Sequence, residues 1–164
     1  MAFTGVPQQQ REARMLGEWV AERFPRAERI IFNARLGPLP KELNGRPLPW
    51  AKRQMLGVFN RYADALVLSG GKLHLVECAI RAAVEKVAQL EIYAQLLPET
   101  EELEELRGLT PRPILVAATE DSAIRRFCEG KGVEFVVFRP AWVEAYLADR
   151  AARKRGPVAS GLPA

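Results

Sequence analysis

Two carboxylates, Asp64 and Glu77, have the surroundings from which chemistry can be built. Asp64 stands just before the apolar stretch 65–68, and Glu77 closes the apolar stretch 73–76. Ser69-Gly70-Gly71-Lys72 lies between them as a tight Gly-rich turn, so the two stretches read as an antiparallel hairpin. Asp64 begins one strand where Glu77 ends its neighbour, which brings both to one end of the hairpin. Paired carboxylates there supply the oxygen ligands that Mg²⁺ or Mn²⁺ prefers. Such an ion activates water and stabilises charge on a scissile phosphate. A segment free of Gly and Pro follows. At 100° per residue Gln89 and Tyr93 share one face of it, with Lys86 about 20° from Tyr93. All three can then point at the carboxylates. Plainer readings stand beside these: Glu77 as a helix-dipole partner, Gln89 and Tyr93 as core hydrogen-bonding groups, and Lys86 as a solvated helix residue.

The elements that must position these groups are legible along the chain. Residues 8–24 read as an amphipathic helix with Met15, Leu16, Trp19 and Val20 on its apolar face, stopped by Pro25. Residues 29–36 are a strand closed by Gly37-Pro38. The Pro-rich segment 37–49 reads as a loop long enough to form a flap, and 50–60 as a short helix. Strands over 62–68 and 73–76 form the hairpin, and 80–97 is the strongest helix, expected to be largely buried. A solvated turn or short helix at 99–107 precedes a buried strand at 113–118. A helix over 119–130 capped by Thr119 or Asp121, a strand at 133–138 and a helix at 140–150 complete the order. The chain is thus an α/β protein with a mixed central sheet flanked by helices. The late β-α-β unit supplies a right-handed parallel crossover. Residues 1–155 form one domain and 156–164 a flexible tail.

Composition bounds the function. The chain has 164 residues; 48% are hydrophobic and 27% charged, which is ordinary globular usage and excludes a disordered chain. No apolar run is long enough to span a bilayer, and the N-terminus lacks the apolar core of a secretory signal. A reducing, cytoplasmic compartment or a particle interior is expected. Two cysteines and one histidine exclude a disulfide scaffold and a Cys/His zinc site. Cys78 is expected to be buried and inert, His74 to be structural, and Trp19, Trp50 and Trp142 to be core anchors. Residues 1–61 carry eleven Lys and Arg against five Glu, whereas 99–105 hold five Glu. The basic third can face phosphates. The blander alternative is a solvated Arg/Glu surface of the heat-stable kind found in thermophiles.

The order helix, strand, hairpin, helix, strand, with Asp64, Glu77 and then Gln89-Leu90-Glu91-Ile92-Tyr93, resembles the PD-(D/E)XK nuclease superfamily, in particular its RecB-like and phage-type branches. The resemblance covers about residues 8–138. It implies a restriction-endonuclease-like αβββαβ core, extended here by a C-terminal strand and helix. It also implies metal binding by Asp64 and Glu77, and contact with nucleic acid by Gln89 and Tyr93, with Arg81 nearby. Ala79 stands where the family's Glu-x-Lys lysine is expected, and it has no amine. Lys86 is the candidate to replace that lysine, with Arg81 and Lys72 behind it. Glu18 or Glu22 is the candidate for the first-helix acid found in some relatives.

Three functions follow from the resemblance and its departure. The first is a degenerate nuclease-fold protein, weakly active or inactive, serving phage or mobile-element DNA processing, DNA binding or particle assembly. The second is an active Mg²⁺-dependent deoxyribonuclease with catalytic Asp64, Glu77 and Lys86. The third is a non-enzymatic connector that associates with protein partners or with itself.

Overall fold

The computed structural model describes residues 7–43, 45–56 and 61–156. The expected tail beyond 156 lies outside these residues. The first helix, α1 (Gln8–Arg23), leads into β1 (Arg29–Leu36). A small hairpin of β2 (Glu42–Leu43) and β3 (Arg46–Pro47) and a short helix, α2 (Trp50–Leu56), come next. The main hairpin is β4 (Arg61–Ser69) and β5 (Lys72–Ala79), followed by α3 (Val84–Leu96). Two 3₁₀ segments, Leu97–Glu99 and Glu101–Leu106, lead to β6 (Arg112–Ala117), α4 (Ser122–Gly130), β7 (Glu134–Val137) and α5 (Ala141–Arg155).

The five-stranded sheet has the order β1-β4-β5-β6-β7. Its first two pairings are antiparallel and its last two parallel. Alternation along β5 decides what each face covers. Leu73 and Leu75 join Val87 and Leu90 of α3 and Ile124 and Cys128 of α4 in one core. Val76 and Cys78 join Leu16, Trp19 and Val20 of α1 and Val143 and Tyr146 of α5 in the other. The result is a helix–sheet–helix sandwich containing the expected αβββαβ core and the added strand and helix. Asp121 caps α4 by accepting the N–H groups of Ala123 and Ile124, each at 3.0 Å.

Four features differ from the sequence expectation. The Pro-rich segment contains the β2–β3 hairpin rather than plain loop, with Gly45 at φ 73° in its turn. The strong helix begins at Val84, not at 80. Its expected first turn is held back because Ile80 is already bonded on both sides. The Ile80 N–H donates to Glu12 Oε1 at 3.2 Å, and its carbonyl accepts the Ala118 N–H at 3.1 Å. α3 is also less buried than expected: Val87, Leu90 and Tyr93 face inward, while Val84 and Ile92 are exposed. Trp19 is a core residue, but Trp50 is 45% exposed with Arg53 over its ring, so it anchors no core.

The basic first third and the Glu-rich segment neutralise one another. Arg35 binds Glu102, Arg29 binds Glu105, and Arg53 and Lys41 both reach Glu101. Much of the charge that suggested a phosphate-facing surface is thus spent on pairs within the chain. Surface pairs of this kind contribute little to stability individually, because water and salt screen them. Thr100, fully buried, ties the same region down. Its hydroxyl accepts the Gly37 N–H and donates to the Leu96 carbonyl, both at 2.9 Å.

Candidate active site

The sheet is interrupted along one line, and the carboxylates lie on it. β4 and β5 pair from Ser69–Lys72 up to Ala65–Val76, and the same register sets Asp64 opposite Glu77, where pairing stops. On the other side β1 pairs with β4 on either side of Asn33 but not at Asn33, which stands opposite Asp64. Asn33 is the one non-glycine residue with positive φ (49°) among the described residues. Asn is among the few residue types that enter this region readily. Left-handed backbone inside a strand is a strained feature of the kind concentrated at functional sites.

The parted strands leave backbone donors, and the two acids take them. Glu77 Oε1 accepts the Asp64 N–H at 3.1 Å, and Asp64 Oδ2 accepts the Cys78 N–H at 2.8 Å. Each carboxylate therefore fixes the strand that carries the other. Lys86, in the first turn of α3, closes the arrangement. Its ammonium lies 2.7 Å from Glu77 Oε2 and 3.3 Å from Asp64 Oδ2. Glu77 is 1% exposed, whereas the side chains of Asp64 and Lys86 are 31% and 24% exposed. Burial, then the neighbouring Asp64 charge, raises the Glu77 pKa to about 7 against the pull of Lys86. Burial alone would depress the Lys86 pKa, but the Glu77 and Asp64 carboxylates outweigh it and hold the ammonium charged.

The first helix contributes an acid that sequence reasoning placed elsewhere. Glu12, not Glu18 or Glu22, borders the site; its Oε1 also accepts from Gln8 at 3.0 Å. Glu18 is engaged by Arg14 and by the Trp142 indole N–H. Helical spacing alone could not separate these glutamates, because the contact depends on where β5 ends. Lys72 pairs with Ser69 at the far tip of the hairpin and is no substitute for Lys86. Tyr93 is buried, and burial and the Glu77 charge raise its pKa. The Gln89 side-chain oxygen is buried with no donor among the described residues. Arg81 is exposed in the segment before α3. Cys78 is buried, and desolvation lifts its thiol pKa well above the usual value, as an inert cysteine requires. His74 packs against Phe24 with ring centroids 4.7 Å apart, on the opposite face of β5 from Glu77, and burial followed by Arg112 lowers its pKa.

The donor chemistry fits a hard divalent cation. Two carboxylates converge on a point that attracts positive charge, as the Lys86 ammonium demonstrates. Among the described residues no cluster of three or more His, Cys, Asp and Glu side chains is arranged to hold a metal. Mg²⁺ is commonly held by one or two carboxylates, with water and substrate phosphate completing its shell. A cleft of about 540 Å³ reaches the cluster, lined among others by Glu12, Phe32, Asn33, Asp64, Cys78 and Lys86.

Neither a protein-family model nor a curated protein matches the sequence. Among solved structures, a repair endonuclease from Pyrococcus abyssi superposes with a TM-score of 0.44 at 17% identity, over 83% of this chain and 49% of that one. Protein VC1899 from Vibrio cholerae superposes with a TM-score of 0.41 at 15% identity, over 87% of this chain and 32% of that one. The chain thus spans about half of the first protein and a third of the second.

Proposed function

We propose that the chain is a metal-dependent deoxyribonuclease of the PD-(D/E)XK type in which Lys86 replaces the lysine missing at position 79. The observation that supports this most is the position of the Lys86 ammonium, within hydrogen-bonding distance of both carboxylates. Asp64 and Glu77 would hold Mg²⁺ or Mn²⁺. The bound ion would supply activation of water and neutralisation of phosphate charge. Lys86, its ammonium displaced from between the carboxylates by the ion, would keep a positive charge beside the place where negative charge builds on the phosphate. Tyr93, Gln89 and Arg81 would contact or support the DNA strand.

One observation favours a second reading. The ammonium stands between the two carboxylates and can serve them permanently as counter-ion, leaving a nuclease fold without turnover. That protein would bind DNA or assemble with partners in a phage-like particle.

The two readings separate by pH and metal. Glu77 must lose its proton to act as a ligand, and its pKa of about 7 places that loss near neutrality. At Mg²⁺ or Mn²⁺ concentrations too low to saturate the site, plasmid nicking is expected to rise with pH up to about 7 and to level off above it. Asp64→Asn and Glu77→Gln are each expected to abolish it. Absence of nicking by folded protein at pH 8 with either metal would favour the inactive reading.

A further inference from the structure

The cleft beside the acidic cluster is more than an entrance to it. On α1 it is lined by Gln9, Gln10, Glu12, Ala13 and Gly17, and on β1 by Phe32 and Asn33 at the kink. Phe32, on the edge strand β1, is 47% exposed, so its ring is open to the cleft it lines. Gly17 is unexpected. It sits inside a sixteen-residue helix, where glycine is disfavoured, and a Cβ built on it would meet nothing within 4 Å. No packing among the described residues therefore calls for a glycine there. Its effect is to leave the α1 side of the cleft without a side chain at this position. The polar groups beside Phe32 and Gly17 are the amides of Gln9, Gln10 and Asn33, which both donate and accept hydrogen bonds, and the carboxylate of Glu12.

We infer that this cleft receives one unpaired nucleobase of the DNA strand, stacked on Phe32 and passed over Gly17, next to the phosphate that Lys86 and an ion on Asp64 and Glu77 would meet. The inference rests on the nuclease reading and deepens it: the preferred substrate is single-stranded or locally unpaired. A base inside a duplex has both faces covered by its neighbours and cannot stack on a protein ring without leaving the helix. A stacked aromatic is sequence-tolerant, because every base has a π-face.

The test compares a fluorescent oligothymidylate with an abasic strand of the same length, by anisotropy in EDTA so that no turnover intervenes. Wild type is expected to bind the base-bearing strand about tenfold more tightly. Phe32→Ala should erase that preference by weakening only the base-bearing complex, and Phe32→Trp should keep it. Gly17→Leu should erase it while melting no lower than wild type, since the substitution favours the helix. Equal wild-type affinity for the two strands, or an equal loss on both with Phe32→Ala, would overturn the inference. Metal-dependent nicking without base preference would sink the pocket assignment and leave the cleavage reading intact. Base preference without cleavage would support the pocket assignment and count against turnover.

Discussion

Lys86→Met is expected to lose both cleavage and stability, and the stability loss should depend on pH. Removing the ammonium leaves Asp64 and Glu77 facing each other, one of them almost fully buried. Breaking a buried ion pair from one side costs about 3 kcal/mol, because the remaining charge is uncompensated. Glu77 can escape this by keeping its proton. Its folded pKa, about 7 with Lys86 present, should rise further without it, while the unfolded value stays near 4.5. A carboxyl whose folded pKa is raised binds more protons when folded, so stability falls as pH rises through that window. Urea denaturation should therefore find Lys86→Met close to wild type at pH 5 and clearly weaker at pH 8. The cleavage rate should fall on the order of a thousandfold at pH 8, the scale associated with losing one preorganised charge. A uniform stability loss at both pH values would mean that the lysine acts through packing alone.

Restoring the amine from a different strand position should rescue the reaction. Ala79 lies two residues beyond Glu77 on β5, so its side chain shares the face of Glu77. In the Lys86→Met background, Ala79→Lys is expected to recover metal-dependent cleavage by roughly a hundredfold. It should also flatten the pH dependence of stability, because the acidic pair regains a cation. Ala79 is only 5% exposed, and crowding can cost about 1–3 kcal/mol. The variant's melting temperature should therefore be measured alongside its rate. A folded double variant as inactive as Lys86→Met would show that the site does not accept a lysine from position 79.

The legible and illegible parts of this site differ for physical reasons. Arg29–Leu36 and the hairpin were readable because Ile, Phe, Leu and Val cluster between Gly-rich or Pro-containing turns. Asp64 and Glu77 could be placed opposite each other because a short turn fixes hairpin register. Lys86 could be put on the same side of its helix as Tyr93 from the 100° rotation alone. Helix geometry could not supply the start of α3, because the segment 80–83 answers to Glu12 and Ala118, both distant in sequence. Long-range contact also chose Glu12 over Glu18 and Glu22. The left-handed Asn33 left a faint sequence trace, an Asn within a strand that disfavours it. The pairing of Arg29, Arg35, Lys41 and Arg53 with the 3₁₀ glutamates left none, since composition gives the charges but not their partners.

Single-turnover cleavage of a labelled oligonucleotide at pH 8, with Mn²⁺ and with Mg²⁺, bears most directly on whether Lys86 completes a working site. Wild type should cut with metal and not in EDTA, and Lys86→Met, folded under the same conditions, should fall to background. No cutting by wild type with either ion, or undiminished cutting by Lys86→Met, would contradict it.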